Sequence, residues 1–317
     1  MAQEAAVSKR RPAPTAEIVR RALTGSRADV GGRAFEFTLL FAMLVALAVL
    51  MTLLTDVLRT GLPVLADRGF DFVTSRVSSL PERAGVIQGI TGSVTIIVFV
   101  AIIAFPIGIG AAIYLEEYAR DTRFTRILNA NIRNLAGVPS IVYGLLGIAL
   151  FVQLGALQGI TGGRSIISAG LTMSILVLPI VIITSAEAIR SVPDSIREAG
   201  FGVGATRWEV VRSHVLPYAT PGIFTGSVLT MARAFGEAAP LILIGAATGF
   251  LSTGTAGFFE QLQGPYTALP VQVFDFATRN LRQFKQSTAA AIIVLLVVLL
   301  FVNATAIILR NRYERKW

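Results

Sequence analysis

The 317-residue chain has no cysteine, a single histidine and only three lysines, Lys9, Lys285 and Lys316. Without cysteine there is no disulfide framework, thiolate nucleophile or cysteine metal site, and one histidine cannot build a histidine cluster. None of the lysines stands in a G-x-x-x-x-G-K-[ST] phosphate loop, so the chain does not bind ATP by that route. Charge is also scarce: 15% of residues are charged against 54% hydrophobic, and the mean hydropathy is +0.68, well beyond what a soluble domain tolerates. The composition describes an integral membrane protein.

What charge there is lies asymmetrically. Of 28 basic residues, seven precede the first apolar stretch (Lys9, Arg10, Arg11, Arg20, Arg21, Arg27 and Arg33), and with Pro12 and Pro14 they mark residues 1–34 as a basic, partly disordered cytosolic tail without a cleavable signal core. Six apolar stretches follow, at Phe35–Leu58, Ile90–Leu115, Leu135–Leu157, Ser165–Ala186, Gly222–Ala246 and Thr288–Leu309, each near the ~20 residues a membrane-crossing helix needs. The glycines at 155, 159, 162 and 163 fit a turn between the third and fourth, or make the two one irregular hairpin. Counting loops alternately, nineteen basic residues fall on one side and eight on the other, with Arg233 inside a stretch. The positive-inside rule puts both termini in the cytosol and makes the excess of +9 a topology signal, not a nucleic-acid footprint. The expectation is an all-α integral membrane protein with six transmembrane helices over 35–312 and a short cytosolic C-terminus at 313–317.

The loop over 187–221 is long for a membrane bundle: EAIRSVPDSIREAGFGVGATRWEVVRSHVLPYATP. Pro193, Asp194 and Ser195 read as a helix start with Asp194 or Ser195 as cap, and Ile196, Ala199, Val203, Trp208, Val211 and Val215 recur at helical spacing, with Gly200, Gly202 and Gly204 allowing a bend. On physical grounds alone this is an amphipathic helix at the membrane surface. Its run EAGFGVGATRWEVVRSHVLP resembles the cytoplasmic motif of ATP-binding-cassette importer permeases, matched at Glu198, Ala199, Gly204, Leu216 and Pro217, with Gly200 in place of an alanine and His214 in place of an isoleucine. The resemblance implies a type I importer permease fold in which this loop is a coupling helix seated on a separate ATPase.

Further segments narrow the resemblance. PIGIGAAIYLEEYA, GVPSIVYGLLG, VPDSIREAGFGVGATRW, ARAFGEAAPLILIGA and LPVQVFDFA follow one another over about residues 35–312 as in the PstA family of phosphate importer permeases, and GEAAPL favours PstA over its sister family PstC. The resemblance implies a bacterial inner-membrane subunit that is not itself an enzyme and binds no cofactor. Its implied partners are a PstC-like permease, a PstB-like ATPase dimer carrying ATP and Mg, a PstS-like phosphate-binding protein outside, and membrane lipid; nucleic acid is not among them.

Each segment also has a reading of its own. Pro106, Gly108 and Gly110 either loosen the second span at midplane or form a packing face. Glu116, Glu117 and Arg120 read as a solvated cap, and Ser140 and Tyr143 as packing residues or hydroxyl donors to an anion. The outer run QGPYTALPVQVF, with Arg279, Arg282 and Lys285, reads as part of a docking surface for the binding protein.

The candidate site is Arg233 with Glu237. Each charge at a helix centre costs about 2.5–3.5 kcal/mol on insertion scales, so neither faces lipid. An i, i+4 ion pair, packing against a partner subunit, and a phosphate pathway all fit, the last because guanidinium offers a planar fork of five donors to a tetrahedral oxyanion. The PstA resemblance implies that Arg233 and Glu237 serve phosphate passage. Arg190 and Arg197 are candidate cytosolic anion contacts. An importer of another oxyanion, an ATP-independent carrier and a purely structural membrane subunit are the alternatives.

Overall fold

The computed structural model describes residues 30–246 and 258–313. The basic tail before Val30 and the terminal Arg315 and Lys316 lie outside the described residues. The chain divides into two units, 1–56 and 57–317. The first contains the beginning of helix α1, Val30–Arg68, whose described side chains up to Thr55 are exposed apolar groups such as Phe35, Phe41, Leu47 and Leu53. A helix apolar all round is a membrane span, since nothing in water would hold it.

In the second unit a short α2 (Phe70–Thr74) leads to α3 (Ile87–Ile113), which ends in a wider π-type turn at Tyr114–Tyr118. Next come α4 (Arg123–Ala136) and α5 (Ser140–Gly147), the latter continued by a π-type turn to Gln153, then α6 (Gly155–Thr161) and α7 (Ile166–Arg190). The segment after α7 forms α8 (Asp194–Gly202) and α9 (Arg207–Val210), joined through a π-type turn to α10 (Leu216–Gly236). The remaining helices are α11 (Ala239–Ile244), α12 (Phe258–Gln263), α13 (Leu269–Thr278) and α14 (Arg282–Tyr313). No strand occurs among the described residues.

Four helical stretches are long and apolar enough to cross a membrane: Gly31–Arg68, Ile87–Tyr118, Ile166–Arg190 and Arg282–Thr305. The third expected stretch is bent by 100° between α4 and α5, and counting that pair as one span makes five. Pro139 explains the bend, because it lacks an N–H and forces Val138 out of helical geometry. α4 itself begins at Thr122, whose side chain accepts from Thr125 N at 3.2 Å, and none of its residues is buried. Phe124, Ile127, Leu128 and Leu135 alternate at helical spacing with Arg123, Arg126 and Arg133, the pattern of a helix lying at a membrane surface. The fifth expected stretch, Gly222–Ala246, is two helices, with Glu237 extended between them (φ −78°, ψ 117°).

The core lies where α3 meets α7. Ile96, Val100 and Ala104 pack with Ala169, Met173 and Val177, and Phe235, Leu241 and Tyr266 close the cluster from the α10–α13 side. Of the two readings of Pro106, Gly108 and Gly110, packing holds at Gly108, where a Cβ would meet Val181 at 2.6 Å; α3 runs through Pro106 unbroken, and Pro106 and Gly110 are exposed.

The outer run QGPYTALPVQVF differs from its expected role. Tyr266, Thr267, Ala268, Leu269, Val271 and Gln272 are buried, Leu269 N donates to Ser93 Oγ at 2.8 Å, and Gln272 Nε2 donates to Gly85 O at 2.6 Å. This segment is a wedge inside the bundle, not a docking surface. Arg279 is drawn inward as well, paired with Asp275 at 2.7 Å and lying 4.6 Å from the Phe284 ring centroid; Arg282 and Lys285 stay exposed.

Candidate functional site

α10 carries an uneven surface. Ile223, Ser227, Thr230 and Ala234 are buried, while Gly222, Thr225, Leu229, Arg233 and Gly236 lie on an exposed face at intervals of three and four residues. The stripe differs from the lipid-suited exposed row of α3, where Val94, Val98 and Ile102 follow one another. It contains two glycines, a threonine and an arginine, small and polar groups that suit a protein interface or a polar path and not hydrocarbon.

Arg233 sits in the last turn of α10, and Glu237 follows the helix end. The break there has a local cause: Pro240 cannot donate to the residue four positions back, and Glu237 N closes the helix on Ala234 O at 3.3 Å. Arg233 Nε lies 3.6 Å from Glu237 Oε1, an ion contact longer than a hydrogen bond, with the arginine side chain 53% exposed and the glutamate 19%. Glu237 is thus held near the guanidinium without occupying its donor fork. Broken helices of this kind occur in membrane proteins where backbone lines a cavity.

The hydroxyls read as anion donors are placed otherwise. Tyr143 donates to Leu135 O at 2.9 Å, which spends its proton on tying α5 to the end of α4. Ser140 is half-buried at the first residue of α5. A cleft of about 580 Å³ between α3, α10 and α14 is lined by Phe105, Ile109, Phe224, Met231 and Phe301 among others and has almost no polar wall. It is unsuited to an anion.

In the 187–221 segment the motif residues come together as a small structured surface. α8 begins after Pro193, so Asp194 is its first residue and forms no cap bond; it pairs with Arg197 at 3.2 Å instead. The side-chain cap in this region is one the sequence reading missed: Thr206 accepts from Glu209 N while Glu209 accepts from Thr206 N at 2.7 Å, a capping box that starts α9. Thr206 N and Thr206 Oγ1 both donate to Glu209 Oε2, at 2.7 and 2.8 Å, and these two bonds, the backbone one first, hold the Glu209 carboxyl below its ordinary range. The T-x-x-E spacing is the signal that marks it.

Val210 and Val215 are buried with Ala112, Ile189, Val192 and Ala219, anchoring the loop to α3, α7 and α10. Val203 (85% exposed), Phe201 and Trp208 point outward, with Glu198 and Ala199 exposed beside them. Gly204 has φ +84°, the left-handed conformation that favours glycine. The substitution of Gly200 for alanine is explained by packing: a Cβ there would approach Val210 Cγ2 to 2.8 Å. Leu216 and Pro217 open α10, Leu216 half-buried and Pro217 exposed.

Arg190 and Arg197 have protein partners. Arg190 binds Glu116, with Nη2 at 2.5 Å and Nε at 3.2 Å, and Arg197 binds Glu117 through Nη2 at 2.8 Å and Nε at 3.1 Å. Glu116 and Glu117 are therefore not a solvated cap; their side chains are 15% and 8% exposed. The comparably apolar sequence around them gave no sign of partners 74 and 80 residues away.

Comparison with known proteins agrees with this architecture. Residues 104–316 match the family model "Binding-protein-dependent transport system inner membrane component". The chain is 33% identical over 214 residues to the probable ABC transporter permease protein YqgI of Bacillus subtilis, covering 67% of this chain and 68% of that one. It is 34% identical over 244 residues to the phosphate transport system permease protein PstA of Mycobacterium leprae, covering 76% and 74%. Among solved structures, a chain of a bacterial alginate ABC transporter, crystallised with its alginate-loaded periplasmic protein, shares the fold with TM-score 0.61 at 15% identity, covering 95% and 98%. The chain therefore belongs to the inner-membrane permease components of binding-protein-dependent ABC importers, transport subunits that work with a separate ATPase and a substrate-binding protein.

Proposed function

We propose that the chain is the permease subunit of an ATP-driven importer of inorganic phosphate, with both termini in the cytosol, and that Arg233 and Glu237 lie on the phosphate path. The partners in this reading are a PstC-like permease, a PstB-like ATPase dimer that holds ATP and Mg, and a PstS-like phosphate-binding protein. The observation that carries the reading is the Arg233 guanidinium, exposed on a small and polar helix face beside a helix break, with its counter-ion at 3.6 Å. A tetrahedral oxyanion losing water needs several donors on a positive group, and an arginine not locked by its carboxylate offers them. Glu237 makes membrane insertion less costly and keeps the arginine from becoming a trap, since a lone buried guanidinium would hold a dianion too tightly for release. The name carried by the mycobacterial relative supports phosphate as the anion.

In the same reading, α8 and the turn at Gly204 seat on the ATPase. Glu198, Ala199, Gly204, Leu216 and Pro217 are the coupling positions, and the exposed Val203 and Trp208 are the apolar contacts a partner covers. ATP-driven closure of the ATPases moves α8, and the membrane helices alternate their opening. Arg190 and Arg197, considered as cytosolic anion contacts, are engaged by carboxylates, and we assign them to coupling.

The test is ATP-dependent uptake by the reconstituted complex with phosphate, sulfate and molybdate in competition. Phosphate uptake unaffected by excess sulfate or molybdate supports the reading; inhibition by either at equal concentration identifies a different oxyanion, and uptake without nucleotide identifies a carrier.

A further inference from the structure

The segment that docks on the ATPase lies in sequence between α7 and α10, yet its strongest polar attachments reach a third helix. Arg190, the last residue of α7, and two arginines of the segment, Arg197 and Arg207, converge on the π-type turn Tyr114–Tyr118 that ends α3. Arg190 forms a two-point fork on Glu116, at 2.5 and 3.2 Å. Arg207 lies 5.9 Å from the Tyr118 ring centroid. Arg197, on α8 itself, is the best satisfied of the three: besides Glu117 it donates to Val192 O at 2.7 Å, Ile189 O at 3.0 Å and Asp194 Oδ1 at 3.2 Å.

Burial separates these contacts from ordinary surface pairs. The Arg197 and Glu117 side chains are 17% and 8% exposed. Exposed ion pairs contribute little and rearrange freely, whereas a buried, fork-bonded pair resists separation because each charge would be left without solvent or partner. The carbonyls that Arg197 binds belong to the end of α7 and the residues leading into α8, so the guanidinium is fixed to its own segment first. Glu117 is then the buried carboxylate through which the guanidinium of α8 itself reaches the end of α3. A shift of α8 without α3 would strand both charges.

We propose that Glu117 and Arg197 are positioning residues for transport, a polar joint through which movement of α8 on the ATPase is carried into α3. The inference rests on the proposed seating of α8 on the ATPase and adds the path that the movement takes. α3 is the helix that packs along α7 through the core and forms one wall of the large apolar cleft beside α10. Moving its cytosolic end changes the space in which α10, and with it Arg233, sits.

The absence of cysteine permits a direct test. In the assembled transporter, with the other chains also made cysteine-free, Gly110→Cys reports on α3 and Leu229→Cys on α10; both positions are exposed, and a Cβ at Gly110 meets no atom within 4 Å. Maleimide labelling is compared with and without a non-hydrolysable ATP analogue. Arg197 Nε and Nη2 both bond one oxygen of Glu117, an acceptor that glutamine would keep, so Glu117→Ala is the variant that removes the joint while leaving the Arg197 bonds to Val192 and Ile189, and Glu117→Asp keeps the charge. Co-purification of all subunits establishes assembly for each variant.

The expected result is that nucleotide changes labelling at both reporters in the parent, that Glu117→Ala loses the change at Gly110→Cys but keeps it at Leu229→Cys, and that Glu117→Asp retains both. Survival of the Gly110→Cys response in Glu117→Ala overturns the joint. Loss of both responses in Glu117→Ala also overturns it, because the pair would then support the loop as a whole and not transmit to α3. If neither reporter responds in the parent, the seating of α8 on the ATPase is itself wrong, and the joint falls with it.

Discussion

The carboxylate of Glu237 stands 3.6 Å from the Nε of Arg233 across the end of a helix, not along it. An i, i+4 pair inside a continuous helix would be a self-neutralising surface feature worth about 0.2–0.5 kcal/mol. Here α10 stops at Gly236, so the carboxylate is positioned by an extended backbone that Pro240 helps to enforce. Its distance from the guanidinium is set independently of helical geometry. The pair can therefore loosen or tighten as the break flexes, which a rigid helical pair cannot do.

Tyr143 marks the contrast between a hydroxyl that serves structure and a group that serves transport. Its proton goes to Leu135 O at 2.9 Å. Tyr143→Phe is expected to lower the thermal stability of the complex by about 0.5–1.5 kcal/mol, the net value of one such bond, with uptake KM unchanged. A raised KM for phosphate at unchanged stability would return the hydroxyl to the anion path.

The outer wedge depends on close backbone approach. A Cβ on Gly92 of α3 would overlap the Thr267 carbonyl oxygen, which is backbone and cannot rotate away. Gly92→Ala is expected to destabilise by about 1–3 kcal/mol or more, as overpacking does, and to reduce assembled complex in the membrane. Normal yield and melting temperature would show that α3 and the 266–272 wedge are less tightly apposed.

In the coupling segment two glycines fail for different reasons. Gly204→Ala places a side chain at φ +84° and is expected to cost about 1 kcal/mol through backbone strain alone. Gly200→Ala restores the residue usual in the family but pushes on the buried Val210, so Gly200→Ala with Val210→Ala should be better tolerated than Gly200→Ala alone. Additive effects of the two substitutions, measured by ATPase co-purification, would contradict the packing explanation.

The capping box at Thr206 gives a pH signature. Hydrogen bonds from Thr206 depress the folded-state carboxyl of Glu209, so its contribution to holding α9 is present above the ordinary carboxylate range and is lost as pH falls through the depressed value. A titration of Glu209 followed by NMR should fall below that of a solvated glutamate, and Thr206→Val, which removes the hydroxyl and keeps the backbone N–H, should bring it part of the way back. An unchanged titration in Thr206→Val would remove the Thr206 hydroxyl as a cause.

The apolar stretches, the 187–221 segment and the charged pair at 233 and 237 were legible because each is a local pattern: length, motif spacing, or a charge where apolar residues surround it. The break after Gly236 was signalled by Pro240 but hidden by the unbroken apolarity of the run. The bend before Ser140 was hidden differently: the arginines at 123, 126 and 133 make α4 read as a loop, and its last residues, Leu135 and Ala136, join the apolar run of α5. What could not be read were long-range partners. Glu116 and Glu117 look like any acidic pair at a helix end, and only the fold brings Arg190 and Arg197 to them. The buried course of QGPYTALPVQVF escaped for the same reason, because polar residues such as Gln272 enter a core only when a partner like Gly85 O waits there.

The most direct measurement of the central claim is ATP-dependent phosphate uptake by the reconstituted complex carrying Arg233→Gln, compared with the parent at equal assembly and equal ATPase content. The account predicts that assembly persists and uptake falls by about tenfold or more, the effect of losing a charged donor worth about 1.5–3 kcal/mol to the passing anion. Uptake at the parent's rate would contradict it and would make Arg233 and Glu237 a structural clamp.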